Sequence, residues 1–344
     1  WDAAFSCPRA ASRSCRSDFS RRCDGFSRRM TFSASAPGKI ILFGEHAVVY
    51  GRPAVAVPVT QVQARASITL AKSAAPENVL VKAAGIGLNA SLAELPAGHP
   101  LKAAIQRTAA VLNISRLPAC TISISSTIPV AAGLGSGAAV SVAIVRALSA
   151  ALGSPLNDEQ VCALAFEVEK IHHGTPSGID NTVITYARPV YFIKGKPIQQ
   201  LQVSRPFTIV IGDTGIASPT AQAVGDVRQA WKADKDHLEA MFDSIGAIAD
   251  SARQVIEQGA VELLGPLMDA NHGLLRKLGV SCPELDALVL AARKAGAWGA
   301  KLSGGGRGGN MIALVSKAQA TKVAAALQAA GAVRTLVTEI QAKG

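Results

Sequence analysis

The stretch Ile128-Pro129-Val130-Ala131-Ala132-Gly133-Leu134-Gly135-Ser136-Gly137 joins an alternating segment, Thr121-Ile122-Ser123-Ile124-Ser125, to an Ala/Val-rich run that extends to Leu152. The alternation has the period of a strand, and the run after it is long enough for a helix. A strand that enters a glycine-rich turn and leaves as a helix lets backbone N–H groups converge, and the helix N-terminus adds the positive end of its dipole. That arrangement favours a phosphate. Spacing alone leaves a second reading open, a tight strand-to-helix turn with no ligand. The stretch does not match GxGxxG, and GxxxxGK[ST] occurs nowhere in the chain, which excludes a P-loop.

Before this stretch, residues 40–43, 54–59 and 66–70 read as strands rich in Val, Ile and Thr, with a turn at Gly51-Arg52-Pro53. Residues 71–98 are rich in Ala, Gly and Pro and read as a variable loop region, and 101–112 has helical spacing. After it, Asn157 with Gln160 forms a capping box for a helix that turns Val161, Leu164, Ala165, Val168 and Ile171 inward and ends at Gly174. Residues 183–193 and 207–211 read as strands, and from about 216 the pattern changes to long helices at 219–258, 261–277 and 283–296. Residues 311–314 and 333–340 read as strands around a helix at 317–330. A domain boundary is expected near 205, which divides the chain into 30–205 and 206–344.

Three further segments carry polar groups of chemical interest. Ala36-Pro37-Gly38-Lys39-Ile40-Ile41-Leu42-Phe43-Gly44-Glu45-His46 puts a lysine and a Gly-Glu-His triplet at the two ends of one apolar run. Taken alone, Lys39 reads as a solvated lysine and His46 as structural. In Glu169…His172-His173-Gly174-Thr175-Pro176-Ser177-Gly178-Ile179-Asp180-Asn181, Glu169 lies near a helix C-terminus. An anion is disfavoured there, which hints at a compensating cation. Adjacent histidines on a helix point apart and do not share a metal readily. Lys301-Leu302-Ser303-Gly304-Gly305-Gly306-Arg307-Gly308-Gly309-Asn310 has five glycines in six residues, as where a backbone must approach a ligand closely.

The chain has 344 residues, 49% hydrophobic and 17% charged, which excludes intrinsic disorder of the whole and leaves room for about two domains. Its net charge is +11, of which residues 1–29 carry seven arginines against three aspartates, or +4. This segment has no apolar core of a secretory signal. Its leading reading is an upstream extension with Met30 as initiator; a transit peptide and a disordered basic arm are the alternatives. Aromatics are 4% and no helix carries a basic stripe, so the charge is not read as a nucleic-acid footprint. Cys120, Cys162 and Cys282 are far apart and read as buried thiols rather than a disulfide or zinc framework. The longest apolar stretch, 130–152, contains Arg146 and glycines and is no membrane span.

Together the segments at 36–46, 128–136 and 303–309 resemble the three motifs of the GHMP kinase superfamily, in the family's order, and the resemblance covers about residues 32–340. His173–Asn181, Gly44–His46 and Asp213-Thr214-Gly215 resemble mevalonate kinases more than galactokinases or homoserine kinases. The resemblance implies an α+β, two-domain GHMP kinase fold, with an N-terminal ribosomal-protein-S5-domain-2-like unit and a C-terminal ferredoxin-like α/β sandwich. It implies an ATP- and Mg²⁺-dependent kinase that phosphorylates mevalonate at its C5 hydroxyl in isoprenoid biosynthesis. Asp180 would take the hydroxyl proton, with Lys39 as its electrostatic partner. Glu169 would hold Mg²⁺, Glu45 and His46 would contact the mevalonate end, and residues 129–137 (Pro129, Val130, Ala131, Ala132, Gly133, Leu134, Gly135, Ser136, Gly137) would wrap the phosphates.

One departure bears on the metal. The family's loop commonly ends Gly-Leu-Gly-Ser-Ser, and here Gly137 stands where the second, metal-reaching serine is usual. Either Ser136 or a water takes its place, or the Mg²⁺ shell leans on Glu169. Arg307 is also less usual, and could touch a phosphate or point to solvent. The alternatives are another GHMP small-molecule kinase (phosphomevalonate kinase, mevalonate 3-kinase or a sugar kinase) and, in a different class, a ligand-sensing relative without activity. The expected partners are small molecules, with no nucleic acid and no membrane; a homodimer is compatible with the resemblance, and the expected location is the cytoplasm.

Overall fold

The computed structural model describes residues 30–71, 78–129, 132–173, 176–218 and 220–342. The readings made above for 1–29, for Val130 and Ala131, and for Gly174 and Thr175 lie outside the described residues, as do the side chains of His172 and His173.

The first sheet uses β1 (Thr31–Phe43), β2 (Ala54–Leu70), β3 (Val79–Ala83), β4 (Leu88–Ser91), β5 (Cys120–Ser126), β6 (Val190–Phe192) and β7 (Gln199–Gln200). Its order is β4-β3-β5-β2-β6-β7, with β1 also paired to β2; β3 and β5 run parallel, and the other pairs are antiparallel. The helices of this half are α1 (Pro100–Val111), α2 (Ser136–Ala151), α3 (Asp158–His173) and α4 (Ile179–Tyr186). The second sheet comprises β8 (Phe207–Asp213), β9 (Gly299–Ser303), β10 (Asn310–Val315) and β11 (Arg334–Ile340), antiparallel in the order β11-β8-β10-β9. Its helices are α5 (Thr220–Ala233), α6 (Lys235–Gln258), α7 (Leu264–Lys277), α8 (Pro283–Lys294) and α9 (Ala320–Ala329). The architecture is α+β.

Several local expectations change. The two strands expected at 54–59 and 66–70 are one strand, β2. Exposed Gln61, Gln63 and Arg65 alternate with buried Val62, Ala64 and Ala66, so the period of two continues between them. The 71–98 region is not all loop, since β3 and β4 lie within it. Val79, Val81 and Ala83 are buried against β5, a short alternation hidden by its Ala- and Gly-rich surroundings. The strand expected at 183–193 is also corrected: residues 179–186 are α4, and only Val190–Phe192 is strand. The run Thr182-Val183-Ile184-Thr185 has high β-propensity, but packing overrides it. Left-handed Gly178 and Ala187 bound the helix, whose side chains are almost all buried. The helix expected at 219–258 divides at Asp234, whose side chain accepts from the His237 N–H and caps α6.

α2 lies on the first sheet with Val142, Ile144, Val145 and Leu148 at 1% exposure or less. Burial of each such side chain is worth about 1.5–3 kcal/mol relative to leaving it exposed. α3 begins with the expected capping box: Asn157 Oδ1 accepts from Gln160 N at 2.9 Å, and Gln160 Oε1 accepts from Asn157 N at 3.1 Å. Val161, Leu164, Ala165 and Val168 are buried as expected, but Ile171 in the last turn is exposed, because the helix face it shares is no longer covered there. The largest apolar cluster runs from β1, β2 and α2 through Ile209, Ile211, Met268 and Ile312, so one core continues from the first sheet into the second. That continuity fixes the two glycine-rich motifs of the two halves against each other.

Candidate active site

A β-bulge places the first polar group. The pairing of β1 with β2 jumps between Pro37 and Gly38, and Lys39 follows at once opposite Pro58. Bulges re-aim side chains, and Lys39 turns beneath the glycine loop with its own N–H donating to the Leu134 carbonyl at 3.0 Å. Its ammonium meets Asp180 Oδ1 at 3.0 Å, with side-chain exposures of 5% for the lysine and 29% for the aspartate. Asp180 stands in the first turn of α4, where the helix dipole favours an anion. An apolar run and a short helix far apart in sequence thus place a buried cation against a half-exposed carboxylate.

The glycine loop needs its glycines. Gly133 and Gly135 have φ of 76° and 73°, a left-handed backbone. A Cβ on Gly135 would stand 2.7 Å from Ile184 Cδ1 and 3.0 Å from Lys39 Cγ. Gly135 is also the N-cap of α2, so the N–H groups of Ser136 and Gly137 lie at the dipole's positive end. Asn310, at the start of β10, donates to the Ala132 carbonyl and ties this loop to the third glycine motif. Ser136, Gly137 and Pro129 line the same cleft as Lys39 and Asp180.

Glu169 on α3 lines that cleft at 3% exposure. Burial pushes its carboxyl up to about 7, helped by the negative charge of Asp180 and opposed by Lys39. Glu169, Asp180 and the Ser136 hydroxyl are hard oxygen donors on three helix segments of one cleft. Among the described residues there is no cluster of three or more His, Cys, Asp or Glu able to hold an ion. Such a sparse donor set fits Mg²⁺, which commonly takes one or two carboxylates and completes its shell with phosphate oxygens and water.

At the other end of β1, Glu45 and His46 turn back toward the C-terminal half. Glu45 is buried and pairs with Lys301 of β9, each with a side chain at 0% exposure. Burial raises the carboxyl of Glu45 and lowers the ammonium pKa of Lys301, and the partner's charge opposes both shifts. His46 Nε2 donates to the Gly305 carbonyl at 3.1 Å, which leaves Nδ1 as the ring's acceptor. Burial holds His46 down at about 4, so its ring is neutral near pH 7. Its Nδ1 has no hydrogen-bond partner among the described residues, and the ring lines the cleft.

The cleft has a volume of about 990 Å³ and is closed from the C-terminal side by α5 and the turn at Gly304 and Gly305. Arg228 of α5 brings a cation to it, beside Tyr50. Arg307, whose role was left open above, pairs with Asp226 of α5. The structure therefore brings together Lys39, Asp180, Glu169, Glu45, His46 and the described part of 129–137. Sequence reasoning missed Arg228, which belongs to no motif, and gave no role to Lys301, although it directly precedes the third glycine run.

This is the arrangement of a small-molecule kinase: a glycine loop on a helix N-terminus, a paired carboxylate beneath it and hard donors for a divalent cation. The chain belongs to the GHMP kinase family, whose N-terminal domain matches residues 100–188 and whose C-terminal domain matches residues 252–333. The mevalonate kinase of Pyrococcus furiosus is 36% identical over 334 residues, 92% of this chain and 98% of that protein. The mevalonate kinase of Thermococcus sibiricus is 38% identical over 335 residues, with the same coverages. Among solved structures, Leishmania major mevalonate kinase in complex with R-mevalonate superposes with a TM-score of 0.78 at 30% identity, over 91% of this chain and 97% of that one. Streptococcus pneumoniae phosphomevalonate kinase, at 18% identity and a TM-score of 0.74, shares the fold.

Proposed function

We propose that the protein transfers the γ-phosphoryl group of ATP to the C5 hydroxyl of (R)-mevalonate, giving 5-phosphomevalonate in the mevalonate route to isoprenoids. The observation that carries this reading is the Lys39–Asp180 pair, 3.0 Å apart, beneath a glycine loop at a helix N-terminus. The mevalonate kinase relatives supply the acceptor. Phosphoryl transfer asks the protein mainly for positioning and for charge stabilisation. Asp180 accepts the hydroxyl proton as the C5 oxygen attacks. Lys39 balances that carboxylate and polarises the hydroxyl. The N–H groups of the 133–137 turn hold the phosphates.

Glu169, with Asp180 or Ser136, would hold Mg²⁺, which neutralises phosphate charge when bound. The neutral Nδ1 of His46 is an acceptor suited to an alcohol hydroxyl of the substrate. Arg228 is the cation suited to its carboxylate. Glu45 acts behind His46 rather than on the substrate. Residues 30–205 and 206–344 form the two units of the enzyme, with the site between them.

A coupled ADP-release assay with (R)-mevalonate, phosphomevalonate and a panel of sugars tests this reading. Turnover of another alcohol with none of mevalonate overturns it.

A further inference from the structure

His46 stands on a backbone that histidine seldom adopts, with φ of 61°. Three contacts from residues 301–305, the end of β9 and the turn after it, hold the chain that carries it. Ser303 Oγ donates to the Ile41 carbonyl at 2.7 Å, His46 Nε2 donates to the Gly305 carbonyl at 3.1 Å, and Lys301 Nζ meets Glu45 Oε1 while also donating to the Leu302 carbonyl at 2.6 Å. The first two are ordinary hydrogen bonds and would by themselves join β9 to the end of β1. The third is different in kind, because it withdraws two full charges from water.

A buried ion pair is a poor device for stability, since apolar residues of similar volume in its place are often neutral or stabilising. What it supplies is a single geometry. Glu45 immediately precedes His46, so the direction in which its carboxylate is drawn sets the turn on which the imidazole stands. Lys301 is on β9, in the C-terminal half, and is itself wholly buried beneath the cleft rather than open to it. It is therefore placed to act through Glu45 and not on a ligand.

We propose that Lys301 is a positioning residue for the phosphoryl acceptor: through Glu45 it fixes the turn that presents His46 to the cleft, so that strand β9 completes the acceptor site. The proposal rests on the reading of His46 as a contact to the acceptor alcohol. It assigns no part to Lys301 in holding the nucleotide, whose loop is secured separately by Asn310 and by the Leu134 carbonyl.

The test is a set of variants, Lys301→Met, Glu45→Gln with Lys301→Met, His46→Asn, and His46→Asn with Lys301→Met. Each is measured for KM of mevalonate, kcat, binding of a fluorescent ATP analogue and Tm. The expected result for Lys301→Met is a rise in mevalonate KM of about tenfold or more, with nucleotide affinity within about twofold of the parent. The Glu45→Gln/Lys301→Met protein, which buries no lone charge, is expected to fold and to keep the raised KM. The His46→Asn/Lys301→Met protein is expected to be no worse than His46→Asn alone, because two changes that act through one group are not additive.

Unchanged KM in Lys301→Met overturns the proposal. So does recovery of both Tm and KM in the doubly neutral variant, which would show that the pair serves only to cancel its own charges. Additive losses with His46→Asn, or failure of the doubly neutral variant to fold, overturn it as well. A parent enzyme that does not turn over mevalonate refutes the proposed function instead. A parent that does, beside an unaffected Lys301→Met, refutes this inference alone.

Discussion

Replacing Gly135 by alanine strikes the proposed chemistry through the backbone, without touching a charged group. Two costs follow from the structure. The residue has φ of 73°, and an L side chain in the left-handed region costs about 1–2 kcal/mol. The new Cβ would also stand 2.7 Å from Ile184 Cδ1, 3.0 Å from Lys39 Cγ and 3.3 Å from Lys39 Cε, so the Ile184 methyl must shift and the lysine stem must give way by a few tenths of an ångström. That stem holds the ammonium 3.0 Å from Asp180. A misplacement of about 1 Å in a catalytic group can cost about 100-fold. This smaller shift is expected to lower kcat by about 10- to 100-fold, and the strain to lower Tm by a few degrees. Gly153→Ala is the control: it lies just past the end of the same helix, has φ of 81°, and a Cβ there meets nothing within 4 Å. It should keep kcat and lose less Tm than Gly135→Ala, which adds the side-chain contacts to the same left-handed strain. Steady-state kinetics with saturating ATP and mevalonate, beside thermal melts of both variants, make the comparison. If Gly135→Ala keeps kcat within twofold, or loses no more than Gly153→Ala, the reasoning that ties the loop to the Lys39–Asp180 pair is wrong.

Asp180→Asn should lower kcat by about 10²–10⁴-fold, the usual range for loss of a general base, with binding of an ATP analogue retained; unchanged turnover would remove Asp180 from that role. Arg228→Met should raise mevalonate KM by about 10- to 100-fold, the worth of a hydrogen bond to a charged group, and leave the KM of ATP alone; a rise in ATP KM instead would move the residue to the nucleotide. His46 carries a pH prediction. Its folded pKa of about 4 lies below the ordinary 6.5, so the unfolded chain takes up the proton first and stability is lost as pH falls from about 6.5 toward 4. For this fully buried ring the loss is on the order of 3 kcal/mol. Urea midpoints at pH 7 and pH 4.5 should therefore differ less in His46→Asn than in the parent, and equal drops in the two proteins would contradict the assignment.

What the sequence showed best were the features made by neighbours. The strand, the glycine turn and the helix at 121–152 are one continuous segment, and the Asn157–Gln160 box needs only three residues. What it hid depends on partners distant in the chain. β3 is five residues long and becomes a strand because β5 lies beside it. The run at 183–186 looks like the start of a strand and is the end of a helix because most of that helix is buried and Gly178 starts it in a left-handed turn. β9 gave no signal of its own before the third glycine run, yet it carries Lys301 and Ser303. Glu45 and Lys301 are separated by 256 positions, and no local pattern pairs them. Arg228 reads as one more basic residue on a surface helix until the cleft shows which way α5 faces.

The cost of these groups argues for their use. Lys39 at 4% exposure, Glu169 at 3%, Glu45 at 1% and Lys301 at 0% are charged side chains of a kind almost never fully buried unless paired. Two of them pair with each other and one pairs with Asp180, but each pair still carries a desolvation penalty that an apolar side chain would avoid. The positive charge of the chain does not require this, since most of its lysines and arginines could sit in water without loss. A fold selected for stability alone would replace the Glu45–Lys301 contact with Leu and Met. Lys39, Glu169 and Glu45 instead line one cleft, and Lys301 lies behind Glu45 on the strand that leads into the third glycine run. In the proposed reaction that cleft holds an anionic nucleotide and an acceptor in register, and there a fixed geometry is worth more than the stability it forgoes.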